Sequence, residues 1–206
     1  GSVTFSRATT ATYIDRYGVL QYSAIDEPRF EKEGYLNEGA STNLALNSGI
    51  TSITNWRQSA SVLAFNQTTA PDGTLTAASL ADNGNAYIAQ TNSYIAGTAY
   101  TLSVFVKDAG QGVSSTIGFV AGGFSINQLA TFDFETLAFS ISSGTPTTSY
   151  KYVGDGWYRI SLSATADITV TAECVRLYSA GTLNTGEVIY LWGAQLEALP
   201  FATSYI

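Results

Sequence analysis

The feature that most constrains this chain is a period-two rhythm of short apolar runs, repeatedly interrupted by turn residues. From Tyr100 to Lys107, Leu102, Val104 and Val106 alternate with Ser103, Phe105 and Lys107. Such a run gives a pleated strand one core face and one mixed face. Comparable runs occupy Ser61 to Asn66, Leu75 to Leu80, Ala86 to Thr91, Thr116 to Val120, Gln128 to Asp133, Ala138 to Ser142, Trp157 to Ala164, Ala172 to Tyr178 and Val188 to Leu196. The breaks are rich in Gly, Asn, Asp and Ser, and Pro71-Asp72-Gly73 has β-turn chemistry. No window shows the 3.6-residue period of an amphipathic helix. The expectation is an all-β sandwich or barrel.

Residues 1–40 differ in character. Ten of the chain's 25 charged residues lie between Val3 and Glu38. Two short β runs, Ala11 to Ile14 and Val19 to Tyr22, flank Asp15-Arg16-Tyr17-Gly18, a hairpin signal with a glycine free to take positive φ. A segment of this length buries too little apolar surface to fold alone. It is expected to be a hairpin-rich preamble docked on a main domain spanning 41–206. Gly1-Ser2 reads as a cloning remnant, and the chain as a domain excised from a longer polypeptide.

Composition excludes several classes. The net charge is −7 with nine Lys and Arg, so no basic stripe exists to track phosphates, and no nucleic-acid partner is expected. No apolar run is long enough for a membrane-spanning helix, and no membrane insertion is expected. With no histidine, neither a Ser-His-Asp triad nor a Cys/His metal set can be assembled, and the single cysteine, Cys174, reads as a buried, inert thiol. Charged residues make up 12%, about half the usual ~25%. Hydroxyls, amides and tyrosines replace them, a surface suited to neutral polyhydroxylated ligands. Asp133 and Glu135 alone keep carboxylate-pair chemistry formally open, but Asp133-Phe134-Glu135-Thr136 reads as a hairpin turn. The chain is expected not to be an enzyme. The loop Ala121-Gly122-Gly123-Phe124 lacks the lysine and helix of a phosphate cradle and reads as a mobile loop presenting Phe124.

Three separated segments carry a resemblance. They are Val3-Thr4-Phe5-Ser6-Arg7-Ala8-Thr9-Thr10-Ala11-Thr12-Tyr13 with Glu27-Pro28-Arg29-Phe30; Glu38-Gly39-Ala40-Ser41-Thr42-Asn43-Leu44-Ala45-Leu46-Asn47 with Trp56; and Gly154-Asp155-Gly156-Trp157-Tyr158-Arg159 with Trp192-Gly193-Ala194-Gln195-Leu196-Glu197 and Thr203-Ser204-Tyr205-Ile206. In this order they resemble the receptor-interaction domain of bacteriophage tail fibres, tail spikes and other virion proteins. From Asn43 onward the chain also resembles carbohydrate-binding modules of the family 4/9/22 type. The resemblance implies a jelly-roll, galactose-binding or concanavalin-like sandwich. It also implies a bacterial cell-surface glycan as partner, neighbouring domains of a larger phage protein, a homotrimeric appendage, and a virion location that is extracellular at the point of action. Structural calcium in such modules points to Asn47 and Glu197 as ligand candidates, without the acidic cluster that usually accompanies them; no other cofactor is implied.

Sugar recognition stacks an apolar sugar face on an aromatic ring and fixes hydroxyls with planar polar groups. Most aromatics in a β domain are packing residues. Trp56 reads as one of these. Alternation sets Trp157, Arg159, Ser161 and Ser163 opposite the core face Tyr158, Ile160 and Leu162. The first face is either a solvated sheet or a sugar platform. Arg176 and Tyr178 extend that face if their strands are neighbours; otherwise Arg176 pairs with Glu173 or Glu187. Gln90 and Gln195 are amides inside strands, for binding or for simple solvation. The candidate carbohydrate-binding set is therefore Trp157, Arg159, Arg176, Tyr178, Gln90 and Gln195. A purely structural or trimerisation module of a tail protein and a polysaccharide-degrading enzyme remain the alternatives.

Overall fold

The computed structural model describes residues 5–111, 114–178 and 187–206. Gly1 and Ser2, and the Val3-Thr4 that opens the first motif, lie outside the described residues. Among those described, fourteen strands follow one another. The preamble supplies β1 (Ala11–Ile14) and β2 (Leu20–Ser23), then β3 (Arg29–Glu31) and β4 (Gly34–Leu36). The rest are β5 (Arg57–Thr68), β6 (Ala77–Tyr94), β7 (Ala99–Asp108), β8 (Ser114–Phe119), β9 (Gln128–Asp133), β10 (Ala138–Ser143), β11 (Thr147–Tyr152), β12 (Trp157–Thr165), β13 (Val170–Tyr178) and β14 (Val188–Glu197).

Ten of these strands form one antiparallel sheet in the order β10-β9-β8-β13-β6-β14-β7-β12-β11, with β5 paired to β6. The sheet folds over on itself. The first half of β6 pairs with β14 through Ala78–Ala81, and its second half pairs with β13 through Tyr87–Tyr94. One strand therefore belongs to two layers. Two runs that read as separate strands, Leu75 to Leu80 and Ala86 to Thr91, are joined within it. β13 is inserted between β8 and β6, and β14 between β6 and β7. Successive strands thus cross between layers, as in a jelly-roll sandwich.

The core lies where the layers meet. Leu102, Val104, Val106, Ile160 and Leu162 of β7 and β12 share one cluster with Ile117, Phe119, Phe132, Val175 and Leu177 of the opposite layer. Phe132 of β9 bridges the gap, its ring 5.2 Å from Tyr150 and 5.5 Å from Tyr158. The inner residues follow the alternation expected for an aligned sandwich. Phe124, expected on a mobile loop, is instead buried and stacked on Phe119 at 4.5 Å. The close approach explains the glycine pair before it: a Cβ on Gly123 would sit 2.7 Å from the Tyr94 ring. The Asp133–Thr136 segment is a turn, capped by the Asp133 carboxylate accepting the amides of Glu135 and Thr136.

Candidate functional site

The two layers have two outer faces, and they differ. Over β7, β12 and β14, a second apolar cluster joins Phe105, Trp157 and Trp192 to Ile14 and Leu20 of the preamble hairpin and to Tyr205. Trp157 is 1% exposed and its indole Nε1 donates to the Thr69 carbonyl at 3.1 Å. Arg159 is half-buried as a residue, but its guanidinium end is enclosed. It donates to the Thr203 carbonyl at 2.6 Å and the Ser103 hydroxyl at 2.9 Å, lying over the Phe105 ring. Desolvation pushes its pKa down to about 10, against the pull of Glu197 and Glu38. Gln195 is fully buried, donating to the Ser204 carbonyl and accepting the Ile206 amide. The platform expected on Trp157 and Arg159 is therefore an internal seam, covered by the hairpin and by the C-terminal Thr-Ser-Tyr-Ile.

That seam is closed by a polar clamp. Arg29 donates to the Thr12 carbonyl at 2.9 Å, to Glu38 at 2.9 Å and to the Ser204 hydroxyl at 2.7 Å. Glu38 in turn accepts the Ser204 amide. Glu197 accepts the Thr203 amide at 3.0 Å and the hydroxyls of Thr203 and Ser41 at 2.5 Å each. The residues that carry the sequence resemblance, Glu38, Glu197 and Thr203-Ser204, are the clamp itself.

The calcium candidates do not fit a metal. A calcium ion wants six to eight oxygen ligands. The buried Glu197 carboxylate is occupied by the three donors just named. Asn47 sits at positive φ, its Nδ2 donating to the Ser52 carbonyl at 2.8 Å and its side-chain Oδ1 accepting the Thr51 hydroxyl at 3.2 Å. Among the described residues no three His, Cys, Asp or Glu side chains converge. Gln90 is also committed: its amide accepts the Leu46 N–H and donates to the Leu46 carbonyl, both at 2.9 Å, imitating a ladder rung.

The opposite outer face, over β5, β6, β13, β8 and β9, is where Arg176 and Tyr178 lie. β12 and β13 are in different layers, so the two do not extend the Trp157 face. The register sets Ser59, Tyr87, Tyr178, Thr116 and Thr131 in one row across the sheet. Arg57, Ala89, Arg176 and Gly118 form the next. A bulge between Glu173 and Val175 resets the alternation. Cys174 and Val175 both turn into the core, and Glu173 joins Arg176 and Tyr178 outside.

These residues interlock. The Tyr87 and Tyr178 rings are 5.2 Å apart at 54°. Arg176 lies over the Tyr87 ring at 4.2 Å and Arg57 at 5.3 Å. Arg57 donates to the Tyr87 hydroxyl and to Glu173 Oε1 at 2.6 Å each. Its Nε also reaches Glu173 Oε2, making a two-pronged ion pair. Arg176 is 3.5 Å from the same carboxylate. The Arg57 hydrogen bond holds the Glu173 pKa below the usual carboxylate range, burial opposing it. Burial pushes the Tyr87 phenol up, but hydrogen bonds with Ser59 and Arg57 and the nearby guanidinium charges outweigh it, leaving the net shift downward. Beside the cluster, Arg57, Glu173, Asn55 and Thr91 rim a shallow hollow of about 250 Å³. Sequence reasoning singled out Arg176 and Tyr178 and offered Glu173 as an ion-pair partner of Arg176, a pair the structure contains, but it did not single out Arg57 or Tyr87. Tyr87 sits in a legible strand; only cross-strand register brings Arg57 beside it.

No family model and no curated protein matches the chain. Solved structures do. A family 16 carbohydrate-binding module is 13% identical, covering 75% of this chain and 99% of its own at a TM-score of 0.48. The CBM22-1 xylan-binding domain of Paenibacillus barcinonensis Xyn10C is 10% identical, covering 81% and 100% at 0.46. TmCBM61 in complex with β-1,4-galactotriose is 15% identical, covering 76% and 98% at 0.41.

Proposed function

We propose that this chain is a non-catalytic carbohydrate-binding domain, and that in its native setting it attaches a bacteriophage tail or virion appendage to bacterial surface polysaccharide. The observation that carries the binding reading is the open outer face. Half-buried Tyr178 packs on Tyr87, itself only 8% exposed beneath two guanidiniums, so the face offers one accessible ring edge beside planar donors. The phage setting is supported by the three ordered sequence motifs. Binding at a flat face of this kind is weak per site and gains strength when copies are displayed together. Asp133 is spent on capping its turn, which favours a binding role over carboxylate-pair hydrolysis.

The test is a microarray of bacterial polysaccharides probed with the intact chain and with Tyr178→Ala. Retention of specific glycans by the wild type, weakened by about tenfold in the variant, supports the reading; a tenfold loss corresponds to about 1.4 kcal/mol. Binding unchanged by Tyr178→Ala moves the site elsewhere. One observation favours a structural module instead: Tyr22, Phe30 and Tyr35 of the preamble hairpins are 58%, 59% and 48% exposed. A stable trimer in light scattering, with no glycan retained, would establish that alternative.

A further inference from the structure

We propose that Arg57 and Arg176 form an oxyanion seat, so that the glycan received on this face is acidic, its sugar carrying a carboxylate or phosphate group. This rests on the carbohydrate reading and narrows its ligand class. The chain holds 16 acidic against nine basic residues, and the arginines Arg29 and Arg159 are consumed by the internal clamp. Yet two others are brought over the buried Tyr87 ring on the face opposite the preamble, within 5.3 Å and 4.2 Å of its centre. Like charges converging on one ring repel, and one carboxylate, Glu173, faces both. It satisfies them unequally. Arg57 receives a two-pronged pair, whereas Arg176, its side chain 19% exposed and its Nε buried without a partner, meets the carboxylate only through an Nη at 3.5 Å.

The arrangement therefore carries one positive charge beyond what Glu173 neutralises. The Arg57 side chain is 50% exposed and that of Glu173 26%, so the pair opens to solvent. Guanidinium forks match planar and tetrahedral oxyanions better than neutral hydroxyls do. Stacking on Tyr87 fixes both forks in advance, which lowers the ordering cost of binding. In the free protein Glu173 holds the place that an acidic sugar takes beside Arg176.

The experiment is a glycan array in which every acidic polysaccharide is paired with its carboxyl-reduced or dephosphorylated twin, followed by calorimetry on the best pair. The expected result is a preference for the acidic twin of about tenfold, the value of one charge-assisted contact. That preference should shrink at high salt. Arg176→Gln should bring the ratio of acidic to neutral affinity close to one. Glu173→Gln should tighten the acidic twin several-fold, a gain that a misfolded variant cannot produce. Which twin series responds tells carboxylate from phosphate. Equal binding of acidic and neutral twins, or weaker acidic binding in Glu173→Gln, overturns the seat and leaves sugar binding standing. Retention of no glycan by the wild type overturns the carbohydrate reading and the seat with it.

Discussion

Arg159 and Arg176 both point away from the main core and both lie over an aromatic ring, yet they do different work. Arg176 borders solvent. Arg159 is roofed by the preamble, and its fork holds the Thr203 carbonyl and Ser103 hydroxyl. Truncating it strands both acceptors and opens a cavity between layers. Arg159→Ala should therefore cost about 2–4 kcal/mol in urea unfolding. Arg159→Lys should recover little, because an ammonium cannot reproduce the planar fork. Alternation in the sequence placed Trp157 and Arg159 on the non-core face, and they are there. What alternation cannot report is whether a second layer covers that face. The residues of the cover, Ile14, Leu20 and Tyr205, are distant in sequence and carry no signal of where they dock.

At the scale of elements, the strands that failed to show in the sequence are the ones whose side chains do not alternate. β11 reads Thr-Thr-Ser-Tyr-Lys-Tyr, an edge strand largely exposed, with no apolar periodicity to find. The bulges fail for the opposite reason: they break a rhythm that is otherwise clear. In β14 strict alternation puts Trp192 and Ala194 together, but the register slips between Trp192 and Gln195. Ala194 turns into the main core, while Trp192 and Gln195 share the outer seam. Gly193 makes this slip at φ +63°, and a Cβ there would stand 2.8 Å from the Phe105 ring. Gly193→Ala should thus destabilise the fold by about 1–3 kcal/mol from backbone strain alone, and more if Phe105 cannot yield. Near-ultraviolet circular dichroism would show the disturbed Trp192–Phe105 contact, and denaturant midpoints would give the cost. Without the equivalent bulge at Cys174, Glu173 would face the core and the outer face would lose the carboxylate that pairs with Arg57 and Arg176. The site thus depends on a one-residue irregularity that no periodicity analysis detects.

For the whole molecule, the distribution of ionisable groups sets a pH window. Four carboxylates are held below their ordinary values. For Asp133 the cause is the backbone N–H of Thr136, for Asp167 the Ser125 hydroxyl, and for Glu173 the Arg57 fork. For Asp15 burial pulls upward but is outweighed by the amides of Val19 and Tyr17. A depressed folded-state pKa contributes stability that is full above the unfolded values of 3.8 for Asp and 4.5 for Glu, and drains away as pH falls through the folded ones. Three of the four cap turns or pin loops, so acid should loosen the sheet's connections before its core. At the other end, burial raises the phenols of Tyr94, Tyr158 and Tyr205 above 10. Their stabilising contribution is complete below pH 10 and lost above it. Arg159, held down to about 10, opposes that loss as it gives up its proton. Unfolding midpoints should therefore be flat from about pH 5 to 9 and fall on both sides. Asp133→Asn keeps the turn's acceptor oxygen but removes its titration. The variant should be less stable than the wild type at pH 7 and indistinguishable from it near pH 2, and a constant difference across that range would show that the Asp133 charge plays no part.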